Sequence, residues 1–233
     1  MKLVLAGGRP TYGIAPLVDA LQLNQFGGFV LSYNGGEIID WGSKELLYKN
    51  LLPDEVLPIL YEASKGYGHP ILSYDGPYIL TEEPLNEYVR HEAFLNKMKV
   101  RRVVNFLDET PRPLPKCLIV GPPDELITTE VKLSLQLQGA ISIYRSEPFF
   151  LELVPLGIDK AQSLKALLEH LGLSREQMVC MGDGYNDLSM IELAGMGVAM
   201  ANAQEPVRKA ADYVTLSNDE DGVAAAVEQL FFA

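Results

Sequence analysis

Positive charge is scarce in this sequence of 233 residues, which has 19 Lys and Arg against 31 Asp and Glu and a formal net charge of −12. This balance excludes a nucleic-acid partner, because a phosphate backbone requires a basic stripe that nothing here supplies. Only a local site for a small anion is compatible with the composition.

Long apolar runs are also absent, since runs such as 198–201 fall far short of the roughly 20 residues that span a membrane. The N-terminus lacks the layout of a signal peptide. Only two cysteines occur, Cys117 and Cys180, and each lies in an apolar run that predicts a buried strand, so we expect core thiols rather than a disulfide. The three histidines have no metal-ligand spacing. We expect a cytoplasmic protein without a membrane partner.

The sequence does contain an alternation of strand-like and helix-like segments, which is typical of α/β architecture. Hydrophobic residues make up 48% of the chain, and its length allows one large or two small domains. Segments 2–6, 14–23 and 29–33 predict one β-α-β unit, and the last third returns to a strand-helix alternation that includes a predicted helix at 160–171.

The middle of the chain differs, because prolines and turn signals become frequent from about residue 37 to 152. Short strands there are mixed with two predicted helices, 54–65 and 124–138, and the spacing in the second helix places Leu126, Ile127, Val131 and Leu135 on one apolar face. We predict a core domain formed by residues 1–36 and 153–233, interrupted by a small α+β domain at 37–152.

The densest chemical signal is the stretch VCMGDGYNDLSM, residues 179–190. A predicted strand ends in Gly182-Asp183-Gly184, followed by Asn186 and Asp187, and the carboxyl ends of strands are where open α/β sheets bind ligands. If a helix begins within the motif, Asp183 and Asp187 share a face and can hold one hard cation, for which Mg²⁺ is the expected ion. The alternative is a polar turn that caps the next helix. We favour the metal site.

Lys160 is the second signal, because it lies in the first turn of a predicted helix, where the helix dipole disfavours a cation by roughly 0.3–1 kcal/mol. A phosphate bound at that end of the helix would instead make a cation there favourable. A solvated lysine is the alternative interpretation. The phosphate interpretation gains weight because Lys160 precedes the acidic motif by one helix and one strand, which can bring both to one edge of a parallel sheet.

The chain begins MKLVLAGGRP, so an apolar strand runs into Gly7-Gly8-Arg9. Glycine lets backbone N–H groups approach an anion and a following helix offers its positive end, so this turn predicts a phosphate cradle. The opening is similar to the start of sugar nucleotidyltransferases. That family would require further glycines where this chain has Pro10-Thr11-Tyr12, and it leaves Lys160 and Asp183 unexplained, so we rank it lower.

The segment from LELVPLGIDK at 151–160 through GDGYND at 182–187 to the final helix closely resembles the C-terminal half of haloacid dehalogenase (HAD) superfamily phosphatases of the Cof type. VLAGGRP at 4–10 is similar to the second HAD motif, and LSYNGGEIID at 31–40 to the start of the inserted cap. The resemblance implies a HAD-like (Rossmannoid) parallel-sheet core and an α/β cap that closes over a small phosphorylated metabolite, such as a sugar phosphate.

The resemblance also implies roles for matching residues. Lys160 would stabilise the transferring phosphoryl group, Asp183 would bind Mg²⁺, and Asp187 would support the metal directly or through water. The implied chemistry is covalent, because an aspartate attacks phosphorus and water then hydrolyses the acyl phosphate. The resemblance implies that phosphate is bound by Gly7, Gly8, Arg9, Asn34, Lys160 and Asn186. Of these residues, Arg9 and Asn34 would lie near the cap.

The sequence departs from the family pattern in two places. The first family motif, an apolar strand ending in D-x-D-G-T, supplies the nucleophile and the general acid, and no Asp-x-Asp stands near an N-terminal strand here. Asp19 lies inside a predicted helix. The hydroxyl residue that precedes Gly-Arg-Pro in the second motif is replaced by Gly7, which removes a hydrogen bond to phosphate.

We therefore expect a core that lacks its first strand and little or no phosphatase activity from this chain. Three explanations stay open: a truncated phosphatase, a short variant that has repaired its sheet, and a non-catalytic phosphate-binding or metabolite-binding relic of the same fold. We favour the first, because Lys160 and GDGYND are intact. The sequence predicts neither the identity of the substrate nor the oligomeric state.

Overall fold

Strands are interspersed with helices along the whole of the computed structural model, which describes residues 1–83 and 85–232. The chain divides into two units, of which the first is Met1–Ile158 and the second begins at Asp159. This mixed α/β architecture confirms the predicted fold class. The division into a core of 1–36 with 153–233 and a cap of 37–152 stays a prediction.

The first unit begins with a β-α-β arrangement, as the sequence predicted. The strands of this unit are β1 (Leu3–Ala6), β2 (Gly28–Ser32), β3 (Glu37–Asp40), β4 (Leu46–Lys49), β5 (Ile71–Asp75), β6 (Tyr78–Thr81), β7 (Lys99–Arg102), β8 (Cys117–Val120), β9 (Ile141–Glu147) and β10 (Phe150–Pro155). Its α-helices are α1 (Thr11–Ala20), α2 (Leu23–Phe26), α3 (Leu57–Tyr67), α4 (Glu87–Asn96), α5 (Phe106–Glu109) and α6 (Pro123–Gln136), with a 3₁₀ turn at Asp54–Val56 before α3.

The strands of the first unit form two sheets. One has the order β1-β2-β3-β4, in which β1 and β2 are parallel and the others antiparallel. The other has the order β7-β6-β5-β8-β10-β9 and is antiparallel apart from the β6–β7 pair. The predicted boundary after Gly36 therefore falls between two paired strands, β2 and β3.

Both faces of the six-stranded sheet are covered, which explains its continuous apolar strands. Along β8, Cys117 and Ile119 belong to a core cluster that includes side chains of α3, α5 and α6. Leu118 and Val120 point to the opposite face and join a cluster that includes Val89 of α4. The side chains of a strand alternate between its two faces, so one short strand serves both cores.

A buried ion pair lies among these apolar side chains. Lys116, next to the start of β8, places Nζ 3.0 Å from Oε2 of Glu152 on β10, and both side chains are buried. The Ser146 hydroxyl donates to Oε1 of Glu152 at 2.9 Å. Glu92 of α4 accepts a hydrogen bond from Tyr74 at 2.8 Å. The sheet therefore contains polar groups that satisfy one another away from water.

Two sequence predictions for this region were wrong. The structure has α3, α4, α5 and α6 between residues 37 and 152, where we predicted two helices. Helix α4 escaped detection because Glu92 and Asn96 lie on its buried face beside Val89, which interrupts the apolar periodicity.

The second error concerns the buried face of α6. Of the predicted face, Leu126 is buried as expected, whereas Ile127, Val131 and Leu135 are 46%, 55% and 72% exposed. Beside Leu126 the helix buries Thr129 and Leu133 instead. The neighbouring stripe has the same helical spacing, so periodicity alone could not distinguish the two.

The second unit is a three-stranded parallel sheet with helices between its strands. Its elements are α7 (Lys160–Leu171), β11 (Val179–Gly182), α8 (Leu188–Leu193), β12 (Met196–Ala199), α9 (Glu205–Ala210), β13 (Tyr213–Val214) and α10 (Gly222–Phe231), with 3₁₀ turns at Arg175–Gln177, Tyr185–Asp187 and Asn218–Glu220. Because β11, β12 and β13 are parallel and adjacent, their carboxyl ends lie along one edge.

Neither a disulfide nor a membrane-spanning helix occurs within the part of the chain that the structure describes. Cys117 and Cys180 are free and buried, as predicted.

Candidate active site

The glycine turn after β1 is held against the end of β2 by backbone hydrogen bonds. The Gly7 N–H donates to Leu31 O at 2.9 Å, the Asn34 N–H donates to Gly7 O at 3.0 Å, and the Tyr33 N–H donates to Arg9 O at 3.0 Å. The turn therefore lies where the two parallel strands β1 and β2 end, the edge at which open sheets bind ligands.

Asn34 packs directly on this turn. A Cβ added to Gly8 would lie 3.0 Å from Oδ1 of Asn34, so a larger residue there would have to shift the Asn34 amide. Asn34 has a φ of 56°, in the left-handed region that asparagine tolerates better than most residues. Its Nδ2 donates to the Tyr144 hydroxyl at 3.4 Å. The predicted residues that the first unit brings together are Gly7, Gly8, Arg9 and Asn34.

Lys160 is the first residue of α7, and its ammonium forms an ion pair with Asp187. Nζ lies 2.5 Å from Oδ1, and Lys160 and Asp187 are only 4% and 7% exposed. Asp159 caps the same helix by accepting from Ala161 N at 2.5 Å, and Ser189 Oγ donates to the Asp159 carboxylate at 3.0 Å. Two carboxylates thus offset the unfavourable position of a cation at a helix N-terminus.

Asp187 also holds the loop that follows β11. Its Oδ2 accepts hydrogen bonds from the N–H groups of Asp183 and Gly184, at 3.0 and 3.1 Å. A Cβ on Gly182 would lie 2.5 Å from Cβ of Asp187, so only glycine at position 182 avoids a clash with the Asp187 side chain. With Lys160 included, three of the roughly four acceptor positions of this carboxylate are occupied by the protein.

Asp183 has a different environment, because its side chain is exposed. Oδ2 accepts a hydrogen bond from Nδ2 of Asn202 at 3.0 Å, and the backbone carbonyl accepts from Gln204 N at 3.0 Å. A 3₁₀ turn spans Tyr185–Asp187 and α8 begins only at Leu188, so Asp183 and Asp187 do not share the face of one α-helix. The two aspartates therefore face different partners: one pairs with a lysine, and the other faces solvent.

Asn186 lies between these aspartates in the sequence. Its side chain lies over the loop, because a Cβ on Gly184 would lie 2.6 Å from its Oδ1. The predicted residues that the second unit brings together are Lys160, Asp183, Asn186 and Asp187.

The donor set fits a hydrated hard cation. Within residues 1–83 and 85–232, no group of three or more His, Cys, Asp and Glu side chains forms a cation cage. Mg²⁺ does not need such a cage, because it is bound by one or two carboxylates and keeps several waters or phosphate oxygens. The exposed carboxylate of Asp183 suits this type of site.

Neither cysteine is a candidate nucleophile. Burial raises the pKa of the Cys180 thiol on β11 to about 12, and burial also raises the pKa of Cys117 to about 12. Both remain protonated at neutral pH, and only the thiolate is a nucleophile.

The sequence analysis did not identify the residues whose hydrogen bonds position the predicted site residues. Asp159 carried a signal, because an aspartate directly before a helix is a typical N-cap. Asn202 and Ser189 carried none, because their partners lie 19 and 30 residues away. The structure shows why Asn202 matters, because it follows β12 at the same sheet edge as Asp183.

Comparison with known proteins identifies the family. Residues 1–227 match the family model of haloacid dehalogenase-like hydrolases. A crystal structure of a haloacid dehalogenase-like hydrolase from Bacteroides thetaiotaomicron is 61% identical, with a TM-score of 0.97, over 99% of this chain and 86% of that one. "Putative phosphatase YxeH" of Bacillus subtilis (strain 168) is 31% identical over 100% of this chain and 87% of its own length.

A third relative has a more specific name. The HAD subclass IIB sugar phosphatase BT4131 is 26% identical to this chain, with a TM-score of 0.76, over 98% of this chain and 85% of its own. The family match covers both the glycine turn and the loop of the two aspartates. This protein is therefore a member of the haloacid dehalogenase-like hydrolases, a phosphatase by family.

Proposed function

We propose that this chain forms the scaffold of a Mg²⁺-dependent phosphatase for small phosphorylated metabolites such as sugar phosphates. The observation that carries the proposal is the arrangement after β11, where a buried lysine is paired with Asp187 while Asp183 stays exposed. The kinship with a named sugar phosphatase supports the substrate class. Two buried free cysteines agree with the cytoplasmic setting that we propose.

In this proposal Lys160 donates to the oxygens of the transferring phosphoryl group, and Asp187 keeps its ammonium in place. Lysine has three N–H donors, so pairing with one carboxylate oxygen leaves donors for a ligand. The charge that develops on phosphoryl oxygens is stabilised best by donors that are already oriented. Asn186, on the same loop, would contact the phosphate.

The glycine turn would bind phosphate oxygens through the backbone of Gly7 and Gly8, because glycine allows a ligand to approach the backbone closely. Arg9 is exposed, and among the residues described it has no ion-pair partner, so its guanidinium is available to an anion. Asn34, wedged beside Gly8, would contact the substrate on its leaving-group side.

Asp183 would hold Mg²⁺, with Asp187 supporting the metal through water. Bound Mg²⁺ supplies charge neutralisation for the phosphoryl oxygens. The implied reaction forms an acyl phosphate on an aspartate, releases the alcohol, and returns inorganic phosphate when water attacks the intermediate. In the structure Asp19 accepts a hydrogen bond from Trp41 at 3.1 Å, so we assign it no part in this step.

Hydrolysis of p-nitrophenyl phosphate and of sugar phosphates tests the proposal. We expect little or no turnover from the 233-residue chain with Mg²⁺, because its sequence contains no D-x-D-G-T. An upstream strand that ends in D-x-D-G-T should confer turnover, and Lys160→Met in that protein should lower kcat by roughly 10²–10³-fold.

Two results would change the assignment. Robust hydrolysis by the 233-residue protein, abolished by Asp183→Ala, would reveal a different nucleophile. Binding of phosphate and Mg²⁺ with no turnover from the extended protein would favour a binding protein of the same fold. The sugar nucleotidyltransferase alternative gains no support, because the family match includes residues 3–9.

A further inference from the structure

A hydrogen-bonded chain links the loops that follow β11, β12 and β13. Asp183 follows β11, Asn202 follows β12, and Asn218 follows β13. Nδ2 of Asn202 lies 3.0 Å from Oδ2 of Asp183, and Oδ1 of Asn202 lies 3.0 Å from the backbone N of Asn218. One side chain therefore connects three neighbouring strand ends.

The hydrogen-bond partners of Asn202 distinguish its amide oxygen from its amide nitrogen. The backbone N–H of Asn218 can only donate, so the atom that it contacts must be the amide oxygen. The opposite end is the NH₂ group, which can only donate, and it points at the Asp183 carboxylate. This orientation holds one rotamer of Asp183 and occupies Oδ2.

The second oxygen of Asp183 stays open. Among the residues described, only the Asn202 amide donates to this carboxylate, and the side chain is exposed. An amide also suits the position chemically, because it donates a hydrogen bond without the positive charge by which lysine or arginine would repel a cation.

We propose that Asn202 is a positioning residue for divalent-cation binding, which orients Asp183 so that Oδ1 is presented to the cation while Asn218 anchors the amide. This inference rests on the role of Asp183 in the proposed function. Groups that orient a metal ligand typically change metal affinity by 10–100-fold when they are removed. Asn202 itself does not touch the cation.

Titration of the protein with Mn²⁺, followed by the EPR signal of the free ion, tests the inference without any activity measurement. The variants are Asn202→Ala, Asn218→Pro, Asn218→Ala and Asp183→Ala. Asn218→Pro removes the anchoring N–H at the first position of a 3₁₀ turn, where proline is tolerated and the preceding Ser217 is already extended. Asn218→Ala is the matched control, because it keeps that N–H.

We expect Asn202→Ala to weaken Mn²⁺ binding by about 10-fold or more, Asn218→Pro to weaken it by a smaller factor, and Asn218→Ala to bind like the parent. Asp183→Ala should lose binding. The thermal midpoints should stay close to the parent value, because Asn202 and Asn218 are exposed. Unchanged stability with lost affinity separates positioning from a structural role.

Three results would overturn the inference. Parent-like affinity in Asn202→Ala, together with loss in Asp183→Ala, would refute the role of Asn202 and leave the proposed metal site standing. Parent-like affinity in Asn218→Pro would refute the anchoring by Asn218. An Asp183→Ala variant that binds like the parent, or a parent that does not bind, would remove the metal site of the proposed function as well.

Discussion

Gly182 occupies a position where a single added methyl group would disturb the loop that follows β11. The Cβ that alanine would add lies 2.5 Å from Cβ of Asp187 and 2.7 Å from its Cγ. Neither atom is the far end of a flexible side chain, and Asp187 is held by Lys160 on one side and by the loop N–H groups on the other. Relief of the clash must therefore move the ion pair.

We expect Gly182→Ala to lower the free energy of unfolding by about 1–3 kcal/mol, as overpacking of a well-filled site does. Gly66→Ala is the matched control, since it lies inside α3 with nothing within 4 Å of the added Cβ and should gain roughly 0.5–1 kcal/mol. Urea unfolding of both variants provides the measurement. A stability loss of the same size at both positions would contradict the steric argument.

At the scale of elements, the six-stranded sheet carries an ion pair between Lys116, beside β8, and Glu152 on β10. Among the residues described, only the Ser146 hydroxyl still donates to the Glu152 carboxylate when the lysine is removed. A buried charge without its counter-ion is costly, whereas replacing both partners by apolar groups of similar volume is often neutral.

We expect Lys116→Met to destabilise the protein by about 3–5 kcal/mol, and the double variant Lys116→Met/Glu152→Leu to recover most of that loss. Lys209→Met is the control, because its pair with Glu205 lies at the surface and should leave the unfolding free energy nearly unchanged. Strictly additive losses in the double variant, measured by urea unfolding, would show that the pair is not coupled.

The helices and strands also show how much of the fold could be predicted from the sequence. Helix α7 has the predicted bounds of 160–171, and the buried strand predicted at Cys117 is β8, because caps and short apolar runs are local signals. The buried face of α6 could not be predicted, since Leu133 and Val131 lie on stripes of equal spacing and only packing against the sheet chooses between them. Asn202 was missed for a related reason, because its contacts join separate strands.

At the scale of the whole molecule, negative charge dominates, with a formal net charge of −12. Self-repulsion of this kind destabilises the compact state. Burial also raises the pKa of Glu92 and of Glu37 above their ordinary value near 4.5. Both carboxyl groups are therefore harder to ionise in the folded protein than in the unfolded chain.

The sign of the pH dependence follows from these shifts. A carboxyl group whose pKa is raised by folding contributes its stabilisation fully below its unfolded pKa near 4.5 and loses it as pH rises through the folded pKa. We expect Glu92→Gln to flatten the decline of the unfolding free energy as pH rises from about 5 toward neutrality. The exposed Glu62 offers the charge-matched control Glu62→Gln, which should leave the decline in place. A slope unchanged by Glu92→Gln would refute the assignment.

The parallel order β11-β12-β13 has a consequence for the order of events in folding. Asp183, Asn202 and Asn218 become neighbours only when three strands have paired across two intervening helices. Non-local pairings are slow to form because loop closure must come first, and we expect these contacts to be absent from the folding transition state. A cation held by Asp183 would therefore find its site after the folding barrier has been crossed. It would slow unfolding and leave the rate of refolding unchanged.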